Sequence, residues 1–515
     1  MEPHTPKRLV NFRPLLFAAV GWILGIVIYV RVWDVYQAYA YFNASKFIPI
    51  IILLSAIAVM VILAVTFRRV MLFTVTVAML LGMARTALAI PVIIPIGQYS
   101  ILGTVYEINT DESGAELTLQ RVSIDGNSID YDVFLTIPPY NAVQVQVGDS
   151  IEAYVWGGTP ERGDSTFDRR MYLLSNRASA EFKSNEVSIL SHDNAPITQM
   201  LHNIREGLGN AISNTFGENS AIMEGFLIGN RAKIDSESRA VFNATGTAHI
   251  LALSGFHVGI FAGILMKLLP KHKPWLRFII ITVFLFCYCA ITEFSPSLVR
   301  ASIMCLCVLL ADAVARRHDS LSSISLAALI LLIANPFMLW SVSFLLSFTA
   351  VLGILLTGAG RHRSKLRVLS TILNGLSVSF GAGMASALLS SRYFGVFPIY
   401  SIIANTIAIP LYTVSITMGV LLVPLYYVYP SFAKLLAVLP NTFNNTAMYI
   451  LEGISKLPYS VIRVSSPSML SCVLFMIMLF VLSKYLLRPI SHRLRFALPV
   501  MVLFTASLFM DIITA

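Results

Sequence analysis

Long apolar runs constrain this chain more than any other feature. Residues 393–433 contain no charged side chain. Runs of similar character recur at 14–31, 48–67, 70–90, 247–268, 276–292, 298–315, 321–339, 341–359, 370–390, 396–426, 431–453, 469–487 and 496–513. About 20 apolar residues of helix span a bilayer's hydrocarbon, and a helix satisfies its own backbone there. Only 12% of the 515 residues are charged and 56% are hydrophobic, against about 25% charged in a soluble domain. The expectation is a polytopic α-helical membrane protein of about 11–13 spans. The first run is one of many and no cleavage site stands out after it, so it reads as a span rather than a secretory signal.

The formal net charge is +10. Cytoplasmic loops collecting Lys and Arg account for such an excess, and a polyanionic partner would favour it too. Basic residues mark alternate helix ends: Arg68 and Arg69, then Lys267, Lys271 and Lys273, then Arg316 and Arg317, then Arg361, Arg363, Lys365 and Arg367. Placing these inside puts the amino terminus in the cytoplasm and the end of the 70–90 helix on the far side. Arg85, near that end, can snorkel. Cys287, Cys289, Cys305, Cys307 and Cys472 all fall in apolar runs and read as small buried hydrophobes.

Residues 96–190 differ in character. Segments such as SILGTVYEI, AELTLQRVSI and YDVFLTI are rich in strand formers and separated by turn sequences. About five short strands suit a small β-barrel, oligonucleotide-binding-like in size, placed outside the cytoplasm by the charge pattern. Residues 191–245 read as amphipathic connecting helices near the outer membrane surface. The expected domains are membrane helices over 1–95, the β domain over 96–190, the connector over 191–245 and a membrane domain over 246–515.

The membrane domain opens on polar groups inside apolar sequence. His249, Ser254 and His257 lie within 247–268, where unpartnered polar groups are costly. Ser254 and His257, three apart, share a helix face. On an unbroken helix His249 and His257 would be about 12 Å apart, too far for one metal ion. Gly246, Gly255 and Gly259 permit close helix contact or a helix break. The helix either packs deep in the bundle or lines a hydrated path. In TEFSPSLVRASIM, Glu293 ends one helix, Pro296 starts a turn and Arg300 enters the next run. Arg300 either pairs with Glu293 across the turn or meets a translocated anion. Pro336 marks another helix boundary, and Ser343 and Ser347 share a face suited to helix packing or to a water path. No Walker sequence, HExxH or GxSxG appears, so no cofactor, metal site or catalytic residue is expected.

These strings resemble a known family. ATGTAHILALSGFHVGI (244–260), SPSLVRASIM (295–304) and NPFMLWSVSFLLSFTAVLGI (335–354) closely resemble the ComEC/Rec2 competence proteins. GFLIGNRAKID (225–235) and TFDRRMYLLSNRASA (166–180) are similar to upstream parts of the same family. The resemblance implies an inner-membrane channel that passes single-stranded DNA into the cytoplasm during transformation, with an outward-facing oligonucleotide-binding-like domain. It implies a DNA receptor outside the membrane and a cytoplasmic helicase or ATPase as motor. His249, Ser254, His257 and Arg300 fall in matching motifs and are expected on or near the conduit. Long family members carry a carboxy-terminal metallo-β-lactamase-like domain. This sequence stops at Ala515 without its metal-binding histidines, so nuclease activity is not expected here and a separate nuclease is implied. The rival classes are a secondary transporter of a small solute and a structural membrane-assembly protein.

Overall fold

A computed structural model describes residues 13–40, 70–111, 114–138, 145–161, 168–192, 196–359, 367–464, 466–483, 485 and 490–514. The expected span at 48–67 lies outside the described residues. In chain order, α1 (Pro14–Ala40) and α2 (Val70–Leu88) lead into the β domain. That domain comprises β1 (Gly97–Asp111), β2 (Gly114–Ile124), β3 (Asn127–Ser128), β4 (Asp132–Ile137), β5 (Asp149–Gly158), α3 (Arg169–Ser175), β6 (Ala178–Lys183) and β7 (Ser188–His192). Then come α4 (Pro196–Phe216), α5 (Ser220–Ile228), α6 (Ser236–Ala244), α7 (Ala248–Leu251), α8 (Gly255–Leu268), α9 (Pro274–Ile291), α10 (Pro296–Ala313) and α11 (Ser320–Ala334). The chain continues through α12 (Val342–Thr357), α13 (Arg367–Phe394), β8 (Val396–Pro398), α14 (Ser401–Val428), α15 (Pro430–Leu436) and α16 (Val438–Ser455). It finishes with β9 (Val461–Arg463), α17 (Met469–Leu482) and α18 (Ile490–Thr514).

Among the described residues seven helices are long and apolar enough to cross a membrane. Four more apolar helices, α8, α11, α12 and α17, are shorter. Several expected spans are therefore divided or shortened. The run 247–268 splits into α7 and α8, because Ser254 adopts an extended backbone and caps a new helix. The run 321–339 ends at Asn335, whose side chain caps a 3-10 turn beginning at Pro336. The run 431–453 becomes α15 and α16. In the opposite sense, α14 is one 28-residue helix despite Pro410 and Pro424. Membrane helices tolerate proline where neighbours satisfy the freed backbone.

The chain forms two compact units. One contains the described residues of 12–194 and 318–341, and the other those of 195–317 and 342–515. In the first unit, β1 pairs with both β2 and β5, and the path β1–β2–β4–β6–β5 closes on itself. Five strands thus form a closed barrel, with β4 and β6 its parallel pair. Its interior is apolar: Leu117, Leu119, Val133, Leu135 and Ile151 have no accessible surface. This is the oligonucleotide-binding-like barrel expected from the strand count.

The barrel is mounted on helix ends. The Tyr131 hydroxyl donates to the Ala89 carbonyl just beyond α2. Asn335 donates to the carbonyls of Leu174 and Ser175 at the end of α3, at 2.9 and 3.1 Å. Arg85 donates to the last carbonyls of α11, Ile333 and Ala334, at 2.8 and 2.9 Å, where a cation also meets the helix dipole favourably. At the opposite end of α11, Arg13 pairs with Asp319 at 3.0 Å.

α1 and α2 run parallel at backbone contact. A Cβ on Gly21 would lie 2.2 Å from the Val75 carbonyl oxygen, and one on Gly25 2.1 Å from that of Met79. This is small-xxx-small packing, which lets membrane helices meet without intervening side chains. Gly25→Leu should force the pair apart and destabilise the first unit by about 1–3 kcal/mol. Denaturant unfolding of the reconstituted chain measures this, and Leu24→Ala on the exposed face should have little effect.

Candidate functional site

The second unit is built around a shared apolar core that runs from Ala211 in α4 to Leu451 in α16. α5 lies inside it: Met223 and Phe226 have no accessible surface and Leu227 only 6%. α5 is thus packed among protein side chains on most of its surface and carries Glu224 into the interior.

Ser254 and His257 meet at the start of α8. The Ser254 side chain accepts from the Phe256 N–H, and His257 Nδ1 accepts from the Ser254 N–H at 3.2 Å. The two form a capping box in which His257 takes the place usually held by Glu or Gln. The i, i+3 relation that suggested a shared helix face is thus a helix start. His257 is wholly buried, and its Nε2 has no hydrogen-bond partner among the described residues.

Arg300 lies beside this first turn. A Cβ on Gly255 would be 3.8 Å from Arg300 Nη2 and 3.4 Å from the Ala301 Cβ. Arg300 is 5% exposed. Its Nη1 donates to the Ser347 carbonyl, its guanidinium sits 5.6 Å from the centre of the Phe348 ring, and its Nε is unpartnered among the described residues. No carboxylate pairs with it among those residues. Glu293 pairs instead with Arg205 of α4. Glu293 and Phe294 have φ of 57° and 51°, left-handed values that make the α9–α10 connection a tight reversal. Pairing of Glu293 with Arg300 across the turn, one of the two sequence expectations, is not what the fold adopts. Pro296 occupies the first turn of α10, where its missing N–H costs nothing.

Ser343 and Ser347 join the same cluster through a residue the sequence reading passed over. Ser297 Oγ lies 3.3 Å from Ser343 Oγ and 3.2 Å from Ser347 Oγ. Ser297 stands three before Arg300, one turn away on the same face, and that spacing was the available signal. Cys289 Sγ adds a contact of 3.5 Å to Ser302 Oγ. Among the five cysteines only Cys289 and Cys472 are buried; Cys287 is exposed and Cys305 and Cys307 are half-buried.

His249 is separated from this cluster by the helix break and sits on α7. Its side chain is exposed. Gly246 has φ 68°, and a Cβ there would clash at 2.7 Å with Pro398 and Ser401. Gly246 therefore seats the entrance to α7 against the start of α14. A Cβ on Gly259 would meet nothing within 4 Å, so close packing does not explain that glycine. Pro336 belongs to the other compact unit.

The arrangement is suited to anions. Helix N-termini carry partial positive charge. Here one is joined by a buried guanidinium with an unused donor and no carboxylate partner. A cluster of three or more potential metal-ligating side chains is absent among the described residues.

Glu224 forms a second polar hub. It is wholly buried and accepts from Lys233 Nζ at 2.7 Å and Asn230 Nδ2 at 2.9 Å. These contacts fold GFLIGNRAKID back over α5, with Gly229 as left-handed cap. A lone carboxylate in the apolar string AIMEGFLIG was the signal for it. Lys233→Met leaves Glu224 buried without its cation and should destabilise the unit by about 1.5–3 kcal/mol. Glu224→Gln with Lys233→Met should recover part of the loss, as a double-mutant cycle on the reconstituted chain will show.

Comparison with known proteins follows these motifs. A family model described as Competence protein matches residues 226–489. ComE operon protein 3 of Bacillus subtilis (strain 168) is 29% identical over 208 residues, covering 39% of this chain and 26% of that protein. Recombination protein 2 of Haemophilus influenzae (strain ATCC 51907 / DSM 11121 / KW20 / Rd) is 30% identical over 142 residues, 25% of this chain and 18% of that protein. An uncharacterized protein of Aquifex aeolicus (strain VF5) is 31% identical over 205 residues, 39% of this chain and 47% of that protein. The chain thus matches less than half the length of each of these relatives. No solved structure matches it. With the family model spanning more than half of its residues, and with the cluster at His257 and Arg300 built from that matched region, the chain belongs to the Competence protein family, the ComEC/Rec2 group.

Proposed function

We propose that this protein is a membrane channel that passes one strand of DNA into the cytoplasm during natural transformation, with its β-barrel on the outer side. The observation that carries the reading is the buried Arg300 guanidinium, with Nε unpartnered among the described residues, beside the first turn of α8, while His249 on the other side of the helix break is exposed. A single strand is a flexible polyanion that needs donors along a wet path and cannot cross hydrocarbon. One buried arginine and a row of serine hydroxyls offer binding weak enough for the strand to leave again. The names of two relatives, ComE operon protein 3 and Recombination protein 2, agree with a role in DNA uptake.

Orientation is supported by charge. Arg13 lies at the end of the first unit opposite the barrel, and Arg316 and Arg317 precede α11 at that same end in sequence. Basic ends favour the cytoplasm of an inner membrane. The reaction scheme then needs a DNA receptor outside, a nuclease that removes the second strand, and a cytoplasmic helicase or ATPase to pull.

The test is complementation. Deleting the gene from a competent host should abolish transformation by added DNA, and the wild-type gene should restore it. Arg300→Ala should reduce strand uptake about tenfold or more, the equivalent of one hydrogen bond from a charged group at about 1.5–3 kcal/mol, with membrane abundance unchanged. Arg300→Lys should retain an intermediate rate. Normal transformation in the deletion strain would instead favour a solute transporter or an assembly protein, and an unchanged rate in Arg300→Ala would remove that residue from the mechanism.

A further inference from the structure

The outer face of β5 carries two large aromatic rings that the barrel leaves uncovered. Along β5 the side chains alternate. Ile151, Ala153 and Val155 point into the barrel, while Tyr154 and Trp156 point out, at 81% and 57% exposure. Trp156 stands opposite Gln98 on β1 and Lys183 on β6, and Tyr154 stands opposite Ser100. Exposed aromatics of this size mark an interaction surface.

Its position relative to α2 indicates the partner. α2 is one of the helices able to cross a membrane, and it ends at Leu88. The segment leaving it is apolar and uncovered: Leu88 is 85% exposed, Val92 81% and Ile96 56%. This segment is fastened to the same end of β5. Ile94 and Thr159 exchange two hydrogen bonds at 2.8 and 3.0 Å, and the Tyr99 hydroxyl donates to Pro95 at 2.9 Å. Gly97 then pairs with Gly157, one residue beyond Trp156. With Tyr131 held to Ala89 on the same unit, the barrel is tied to the end of the membrane helix at separate points. The apolar surface therefore continues from the helix end through Val92 and Ile96 to Trp156 and Tyr154.

We infer that this continuous surface rests in the headgroup layer of the protein's own membrane, with Tyr154 and Trp156 as interfacial anchors that fix the barrel's tilt over the bilayer. Trp and Tyr favour that layer because an apolar ring and a polar handle are both satisfied there. Lys183 beside Trp156 suits anionic headgroups. A stacking platform for a nucleic-acid strand pairs its aromatics with a basic groove. Here Lys183 stands opposite Trp156, while Glu152 and Asp125 both contact Ser100, the partner of Tyr154, so the charge balance does not favour phosphate.

The experiment uses the full chain in nanodiscs. The protein has five tryptophans, and subtracting the emission of Trp156→Leu from the wild type isolates that of Trp156. Trp156→Phe gives an independent subtraction that keeps a ring, so agreement of the two shows an unaltered fold. With lipids carrying a headgroup nitroxide, the Trp156 component should lose most of its emission, and adding oligothymidylate should change it little. A Trp156 component that the nitroxide leaves intact overturns the inference. Loss of that component only on adding oligothymidylate also overturns it and assigns the face to a nucleic-acid strand.

Discussion

The cost of holding polar groups inside apolar helices shapes the second unit of this protein. In hydrocarbon or dry protein an unpaired polar group loses its water without compensation. His257 and Ser254 meet part of that cost by capping the start of α8, which leaves His257 Nε2 without a partner among the described residues. Arg300 meets part of it with the Ser347 carbonyl and the Phe348 ring. What remains, the unused donors of a buried cation beside a helix N-terminus, is the feature that an anion would complete.

The helix break also separates two classes of polar residue. His257 and Arg300 are buried and fix the geometry of α8 against α10 and α12. His249, on the far side of the break, is exposed. In the channel proposed above, the buried pair would set the shape and field of a passage whose wall includes His249. Glu224 has a comparable organising role one segment earlier, where its pairing with Lys233 holds the loop before α6.

Local patterns were legible in the sequence and distant pairings were not. The runs at 14–31, 70–90, 276–292 and 298–315 all became helices, because length and absence of charge suffice to identify them. The barrel was legible from strand-forming residues and turn signals such as Asp-Glu-Ser-Gly. The break at 252–254 was legible only as one of two options left open by Gly246, Gly255 and Gly259, since LALSG contains no proline and sits inside an apolar run. The Ser254–His257 spacing was visible, but as a shared face rather than a cap. Glu293 looked seven residues toward Arg300, whereas its partner Arg205 lies 88 residues away. Gly21 and Gly25 form a small-xxx-small pair that the sequence displayed without naming its partner helix.

The central claim is that the second unit encloses a wet passage bordered by His249. It is tested most directly in a variant with the five native cysteines replaced, reconstituted in nanodiscs and carrying His249→Cys or Val258→Cys. A charged, membrane-impermeant thiol reagent should modify the cysteine at 249 and leave the one at 258, a buried position in α8, unreacted. If the cysteine at 249 is as inert as the one at 258, with both proteins folded, there is no such passage at His249.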